Sequence, residues 1–148
     1  MYRFIDQSPD RLTGGAHFLW WAMRGWAICM RRNRCPAASL AISFCRMDMR
    51  EVLADFNELM LTLHHRGQRL LKLDDRDEAT INEVEAVMLA VWADVAEGEL
   101  ERARAALGLM VLETKVDEIM ARLGRVAAHM VAIEFPPNRV LEPDPGRL

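Results

Sequence analysis

The segment 109–133 carries the most regular hydrophobic pattern in the chain. Apolar residues recur there at alternating steps of three and four, which places them on one face of an α-helix. An a/d pattern sustained over more than three heptads is typical of a helix that packs along its length against other helices. We therefore predict a long C-terminal helix. Its heptad seam consists of Leu109, Leu112, Val116, Ile119, Leu123, Val126, Met130 and Ile133.

Two segments nearer the N-terminus are apolar on almost every face. Residues 13–33 predict a first helix, in which His17 and Arg24 are the only polar side chains before the basic end. A helix that is apolar all round is central in its fold or lies in an interface, and we expect this one in the core. Residues 36–46 predict a second helix with Pro36 in its first turn, because proline disfavours a helical conformation for the residue before it.

The middle of the chain alternates amphipathic segments with start and stop signals. Capping-box spacing at residues 48–51 and 80–83 predicts where the third and fourth helices begin. Gly67 and Gly98 are expected to end them, because glycine adopts the left-handed conformation found just after a helix. A shorter helix follows over 99–107.

These elements predict an all-α fold with five to six helices in a compact bundle or orthogonal array. No segment has the alternating pattern of a strand, and no internal repeat is present. We expect a single helical domain over 1–135. The remaining 136–148 hold four of the six prolines and predict a flexible tail.

Composition narrows the class of protein. The 148 residues are 51% hydrophobic, which excludes an intrinsically disordered chain. Three cysteines leave at least one unpaired thiol, so a reducing, cytoplasmic location is expected. The apolar stretch 16–30 is too short for a transmembrane segment, which needs about 20 residues. Richness in Arg and Ala suggests a GC-rich, bacterial coding sequence.

No pattern in the chain predicts catalysis or a cofactor. Phosphate-binding glycine loops and Gly-x-Ser-x-Gly are absent from the sequence. Cys29, Cys35 and Cys45 lack the Cys-x-x-Cys spacing of zinc sites, and we expect the thiols within the apolar helices to be buried hydrophobic groups. His64 and His65 fall at a predicted helix end, where they suit the helix dipole. We expect no enzymatic activity, no cofactor and no metal.

Two binding hypotheses compete with protein–protein contact. Arg24, Arg31, Arg32 and Arg34 form a basic cluster near three tryptophans, a combination that suits nucleic acid, although the sequence pI of about 5.8 opposes it. The first helix followed by its arginines is also compatible with association at a membrane surface.

The expectation we favour is a small protein that acts through protein–protein contact, as an adapter or regulator. Two helices that are apolar all round, together with the heptad seam, are a large hydrophobic surface for a chain of this length. A twin helix in a homodimer would bury the heptad seam, and so would other helices of the same chain. The protein partner is therefore expected to be a second copy or another protein.

Overall fold

The computed structural model describes residues 8–12, 14–66, 80–81 and 83–137, and these residues form an all-α fold without strands. Six α-helices occur in these ranges, together with 3₁₀ turns at Pro9–Arg11 and Arg50–Val52. The predicted fold class is confirmed. The predicted stop at Gly67 and the tail beyond residue 137 lie outside the described residues. The helices are α1 (Gly14–Arg31), α2 (Pro36–Arg46), α3 (Leu53–Arg66), α4 (Glu83–Ala96), α5 (Leu100–Gly108) and α6 (Glu113–Ala132).

The central helix is α4 rather than α1. Ten of the fourteen residues of α4 are buried, because α1, α5 and α6 all pack against it. In α1, eight of eighteen residues are buried, and Trp21 on its outer face is 39% exposed. The first helix thus has one face in the core and one towards solvent, although its sequence is apolar on both.

Aromatic rings connect α1, α2, α3 and α4 through the core. Phe18 meets Phe44 edge-on at 5.0 Å between ring centroids, and Phe44 meets Phe56 at 5.2 Å. Phe56 in turn stacks on Trp92 of α4 at 6.1 Å. Each of these rings is at most 7% exposed. We call this row the aromatic column; it is one reason why four helices share a single hydrophobic core.

Four of the helices end in the same hydrogen-bonded motif. After α4, the Glu99 N–H donates to the Asp94 carbonyl at 2.8 Å, and the Gly98 N–H donates to Val95 at 3.2 Å. This pair of bonds defines a Schellman ending, in which the residue after the helix is left-handed. The left-handed residues are Asn33 (φ 55°), Asp48 (φ 57°), Gly98 (φ 82°) and Glu134 (φ 59°). The predicted end of the fourth helix at Gly98 is confirmed.

The prediction that Asp48 caps the third helix is wrong. Asp48 terminates α2 instead, and its left-handed backbone is incompatible with the extended conformation of an N-cap. A 3₁₀ turn that begins at Arg50 then leads into α3, and Met49, which precedes it, makes no side-chain capping bond. The same sequence pattern is compatible with a helix end, because aspartate also tolerates the left-handed region.

The C-terminal helix begins at Glu113 rather than at residue 109. The backbone tightens after Gly108, where the Leu109 and Met110 N–H groups donate to carbonyls three residues earlier, and Leu112 is extended. This turn reverses the chain so that α5 and α6 pack against each other, with Arg104 bonded to Asp117 across them. The heptad seam therefore crosses a turn, which its spacing alone does not reveal.

The chain after α6 returns to the beginning of α1. A Cβ atom on Gly15 would lie 2.5 Å from the Phe135 carbonyl oxygen and 2.6 Å from that of Pro136. Only glycine accommodates so close an approach of backbone to backbone. The contact brings Phe135 to within 5.8 Å of Phe18 and so closes one side of the cleft described below.

Candidate interaction surfaces

The middle of the heptad seam belongs to the protein's own core. Five of its eight residues are at most 4% exposed, because α6 packs against α3 and α4. Their apolar surface is satisfied within one chain, which is the intramolecular alternative left open by the sequence. These residues are Val116, Ile119, Leu123, Val126 and Met130.

The beginning of the heptad seam is exposed. Leu109 is 84% and Leu112 57% exposed, whereas Ile133 at the other end is partly buried against the core. Leu100 at the start of α5 and Val131 near the end of α6 are each 50% exposed as well. We call Leu100, Leu109, Leu112 and Val131 the α5–α6 surface. Large apolar side chains as exposed as these are removed from solvent only when another molecule covers them.

A shallow groove of about 440 Å³ lies beside two residues of the α5–α6 surface, Leu100 and Val131. Most of its lining is small, which lets another helix or a protruding side chain approach the backbone closely. Leu100 and Val131 stand on its two sides. The lining residues are Val95, Ala96, Leu100, Gly124, Ala127, Ala128, Val131 and Ala132.

Arg24 is engaged inside the fold rather than in a basic cluster. Its Nη2 lies 2.6 Å from Oε1 of Glu85 and its Nε 2.9 Å from Oε2, a two-point ion pair between α1 and α4. The Trp20 indole N–H donates to the same carboxylate at 3.2 Å, and the Arg24 guanidinium stacks over the Trp20 ring. Glu85 is only 1% exposed, so these donors compensate a charge that burial would otherwise make costly.

The other three predicted arginines remain together at the surface. Arg31, Arg32 and Arg34 are exposed where α1 ends, and the first turn of α2, which follows at once, contains no acidic residue. Arg24 lies two helical turns earlier, about 10 Å along the axis. The structure thus reduces the predicted cluster of four to a surface cluster of three.

A cleft of about 610 Å³ opens between the first two helices and the segments next to them. Its floor is aromatic, since Phe18 is the first ring of the aromatic column, and Trp21 and Phe135 form its sides. We call it the α1–α2 cleft. Its lining residues are Asp10, Leu12, Gly14, His17, Phe18, Trp21, Ser43, Arg46, Met47 and Phe135.

The charged residues of the α1–α2 cleft were not among the residues predicted from sequence. Asp10 and Arg46 both line it and are exposed, and neither forms an ion pair with any residue that the structure describes. The helical spacing of Gly14, His17 and Trp21 puts these residues on one face of α1, which was the available signal. From the sequence alone this face is an ordinary apolar stripe, and only the packing of α2 beside it forms the cleft.

Histidine and cysteine side chains occupy separate places. His64 packs edge-on against Trp26 at 5.6 Å, and the side chain of His65 lies outside the described residues. The His129 Nε2 lies 2.6 Å from the carbonyl oxygen of Asp48, joining α6 to the end of α2. The expectation of buried thiols in the apolar helices is wrong: Cys45 on α2 is exposed and Cys29 on α1 is only partly buried. No group of three potential metal ligands occurs among the described residues.

An ion-pair cluster joins α3 to α6. Asp55 accepts hydrogen bonds from Arg125 at 2.9–3.1 Å and from Arg122 at 3.0 Å. The hydrogen bond from Arg125, assisted by the positive charges of both guanidinium groups, lowers the pKa of Asp55 below its ordinary value. Residues 55, 122 and 125 are too far apart in sequence to be recognised as a group from spacing. Arg122 also lies 3.9 Å from Glu118, so two carboxylates face the two guanidinium groups of this cluster.

None of the helices in the described part of the chain has the length and apolar character needed to cross a membrane. The inner face of α1 is also occupied by the core, including the fully buried Trp26, so only the outer face is available to any surface. In comparisons with protein-family models, with curated proteins and with solved structures, no match to this chain is found. The inferences below therefore rest on the chain's own geometry.

Proposed function

We propose that this protein acts through protein–protein contact, without catalytic activity, and that it forms a homodimer through the α5–α6 surface. The observation that carries the proposal is the 50–84% exposure of four large apolar side chains on α5, on α6 and in the turn between them. Two of the four, Leu100 and Val131, line a groove. Leu109 and Leu112, two of the residues predicted from the heptad seam, belong to this surface. The buried residues of the heptad seam serve the fold of the single chain.

The shape of the surface favours a second copy as the partner. Protruding residues, Leu100 and Val131, and a hollow lined by glycine and alanine occur side by side on the same chain. In a two-fold dimer the same patch faces itself, so the protruding side chains of one copy meet the hollow of the other. A surface with both features is complementary to itself.

The size of the surface is compatible with such a dimer. Four side chains at these exposures contribute on the order of 300–400 Å² of apolar area per chain, comparable to the patches that mark interaction sites on monomers. Stable complexes bury about 800 Å² per partner. The groove lining and polar residues at its rim would supply the remainder.

The test is molar mass in solution, measured by light scattering at two salt concentrations. We expect a salt-insensitive species of about twice 16.9 kDa. Leu109→Lys/Leu112→Lys should convert it to monomer without unfolding it, because both side chains are exposed and make no core contact. Ile42→Lys is the matched control, since Ile42 is 67% exposed on α2, away from the groove.

A monomeric wild-type chain at its highest soluble concentration would contradict the homodimer. The broader proposal would then require a different protein partner for the same surface, detectable by cross-linking from Leu109→Cys. A dimer that persists in the double lysine variant and dissociates in Ile42→Lys would show that the contact lies on α2.

The second candidate function is nucleic-acid binding through Arg31, Arg32 and Arg34. Their common exposure at one helix end favours it. Each phosphate contact releases counterions, so replacing all three arginines by alanine should lower the slope of log affinity against log salt by about 2–3. Retention of an oligonucleotide that is insensitive to salt, or unchanged in the triple variant, would eliminate this function.

We further propose that the protein is cytoplasmic and of bacterial type. Cys29, Cys35 and Cys45 are all unpaired in the structure, which is compatible with a reducing compartment. The arginine-rich composition supports the bacterial assignment. Fractionation of the source cells, with detection of the chain by antibody, tests the location directly.

A further inference from the structure

The α1–α2 cleft has the properties of a small-ligand site. Its volume of about 610 Å³ lies within the 300–1,000 Å³ typical of such sites, and its lining is mainly aromatic and aliphatic. Phe18 packs edge-on against Phe44, which supports the floor of the cleft. The site is independent of the α5–α6 surface, with which it shares no residue.

Two opposite charges line this apolar cleft. Asp10 comes from the 3₁₀ turn before α1, and Arg46 from the last turn of α2. They do not pair with each other, and neither pairs with another side chain in the described part of the protein. By contrast, Arg24 and Glu85, which lie between α1 and α4, pair with each other.

We propose that the α1–α2 cleft binds a short apolar peptide as a zwitterion. Arg46 donates hydrogen bonds to the peptide's terminal carboxylate, and Asp10 accepts them from its terminal ammonium group. The apolar side chains of the peptide contact Phe18, Trp21 and Phe135. His17 and Ser43 also line the cleft, and their side chains exchange hydrogen bonds with the peptide amide.

Charge complementarity is what selects this class of ligand. A ligand with only an anionic group would pair with Arg46 and leave Asp10 without a partner, and one with only a cationic group would leave Arg46 without one. A neutral apolar molecule would leave both Asp10 and Arg46 without a partner. Both side chains are exposed, so each added pair contributes the modest energy of a surface ion pair. A zwitterion with an apolar body is the small-molecule class that satisfies the two charges together.

The experiment is a calorimetric titration of the full-length protein with phenylalanyl-phenylalanine. Three blocked forms are compared with it: the N-acetyl peptide, the C-terminal amide and the doubly blocked peptide. Removing either terminal charge should weaken binding about fivefold, the value of one solvent-exposed ion pair. The doubly blocked peptide should bind most weakly.

Variants assign each charge to its partner. Arg46→Gln should lower the affinity for the free peptide about fivefold and leave the affinity for the C-terminal amide unchanged. Asp10→Asn should also lower the affinity for the free peptide about fivefold, and should leave the affinity for the N-acetyl peptide unchanged. Arg50→Gln is the matched control, because Arg50 is exposed, follows Arg46 by four residues in the sequence and does not line the cleft. Trp21→Ala should lower the affinity for all four peptides.

Several results would overturn the proposal. If the doubly blocked peptide binds as tightly as the free one, the cleft accepts internal protein segments and the two charges are not used. If Trp21→Ala leaves the affinity unchanged, the peptide binds elsewhere. Absence of binding at millimolar peptide also refutes it, whatever the oligomeric state of the protein.

Discussion

Helices α1 and α4 are both rich in apolar residues and both carry tryptophan, yet their environments differ. α4 is enclosed on nearly all sides, whereas α1 contacts the core with one face and borders the α1–α2 cleft with the other. Hydrophobicity along a helix therefore does not by itself tell how many neighbours it has. An apolar face that remains uncovered, as on α1, is where binding is to be sought.

The largest expected effect contrasts a tryptophan from each helix. Trp92→Ala should destabilise the protein by about 4 kcal/mol, because Trp92 is fully buried and stacks on Phe56. Trp21→Ala should cost less than about 1 kcal/mol, because Trp21 is 39% exposed. Urea unfolding measures both. If Trp92→Ala does not fold, Trp92→Phe provides a milder comparison. Equal losses would mean that the outer face of α1 is covered.

The next effect concerns the ion pair that joins the two helices. Arg24→Met should cost about 3 kcal/mol, because the buried Glu85 carboxylate loses its guanidinium partner. Arg24→Met/Glu85→Leu should recover most of this loss, since no charge then remains buried. Lys115→Met is the control: its ammonium group lies 3.5 Å from Glu118 and both side chains are at the surface, so less than about 1 kcal/mol is expected. A double variant no more stable than Arg24→Met would show that the pair is not the cause.

A smaller effect is expected where the chain after α6 meets the start of α1. Gly15→Ala should cost about 2 kcal/mol, because the new methyl group would overlap the carbonyl oxygens of Phe135 and Pro136. Gly25→Ala in α1, whose new methyl group would be in ordinary contact with Leu40 at 3.5 Å, should instead gain about 0.5–1 kcal/mol from better helix propensity. Thermal unfolding of the two variants checks the opposite signs. A neutral Gly15→Ala would mean that the C-terminal segment is not held against α1.

The smallest effect compares a carboxylate near the surface with the buried Glu85. The pKa of Asp55 is lowered in the folded protein, so its contribution is present above the ordinary value of 3.8 and is lost as the pH falls through the folded value. Asp55→Asn should reduce stability at pH 7 by less than about 1 kcal/mol, and the difference from wild type should shrink as the pH falls below the ordinary pKa of 3.8. Urea midpoints across this pH range measure it. A difference that persists in acid would implicate packing rather than charge.

Local features of the sequence predicted the local structure well. Pro36 opens α2 and Gly98 follows α4, because the backbone preferences of proline and glycine act over one or two residues. Asp48 misled because aspartate suits both the cap of one helix and the left-handed end of another. The heptad spacing begins at Leu109, whereas α6 begins at Glu113, because the chain turns after Gly108.

The sites were less predictable, because they depend on which distant segments meet. Arg24 is 61 residues from Glu85, and nothing in its neighbourhood distinguishes an ion-paired arginine from the exposed arginines that follow. The α1–α2 cleft requires residues from before α1, from two helices and from after α6. Leu109 and Leu112 were identified by sequence as interface candidates, but only the fold separates them from the buried members of the same pattern.

The aromatic column also gives the protein an internal optical reporter. Phe18 forms the floor of the α1–α2 cleft, and its ring is in contact, through Phe44 and Phe56, with the indole of Trp92. A ligand that displaces Phe18 therefore changes the asymmetric environment of the Trp92 indole, although the ligand does not contact Trp92 itself. Occupancy of the cleft is thus expected to change the near-ultraviolet circular dichroism of the protein without any label.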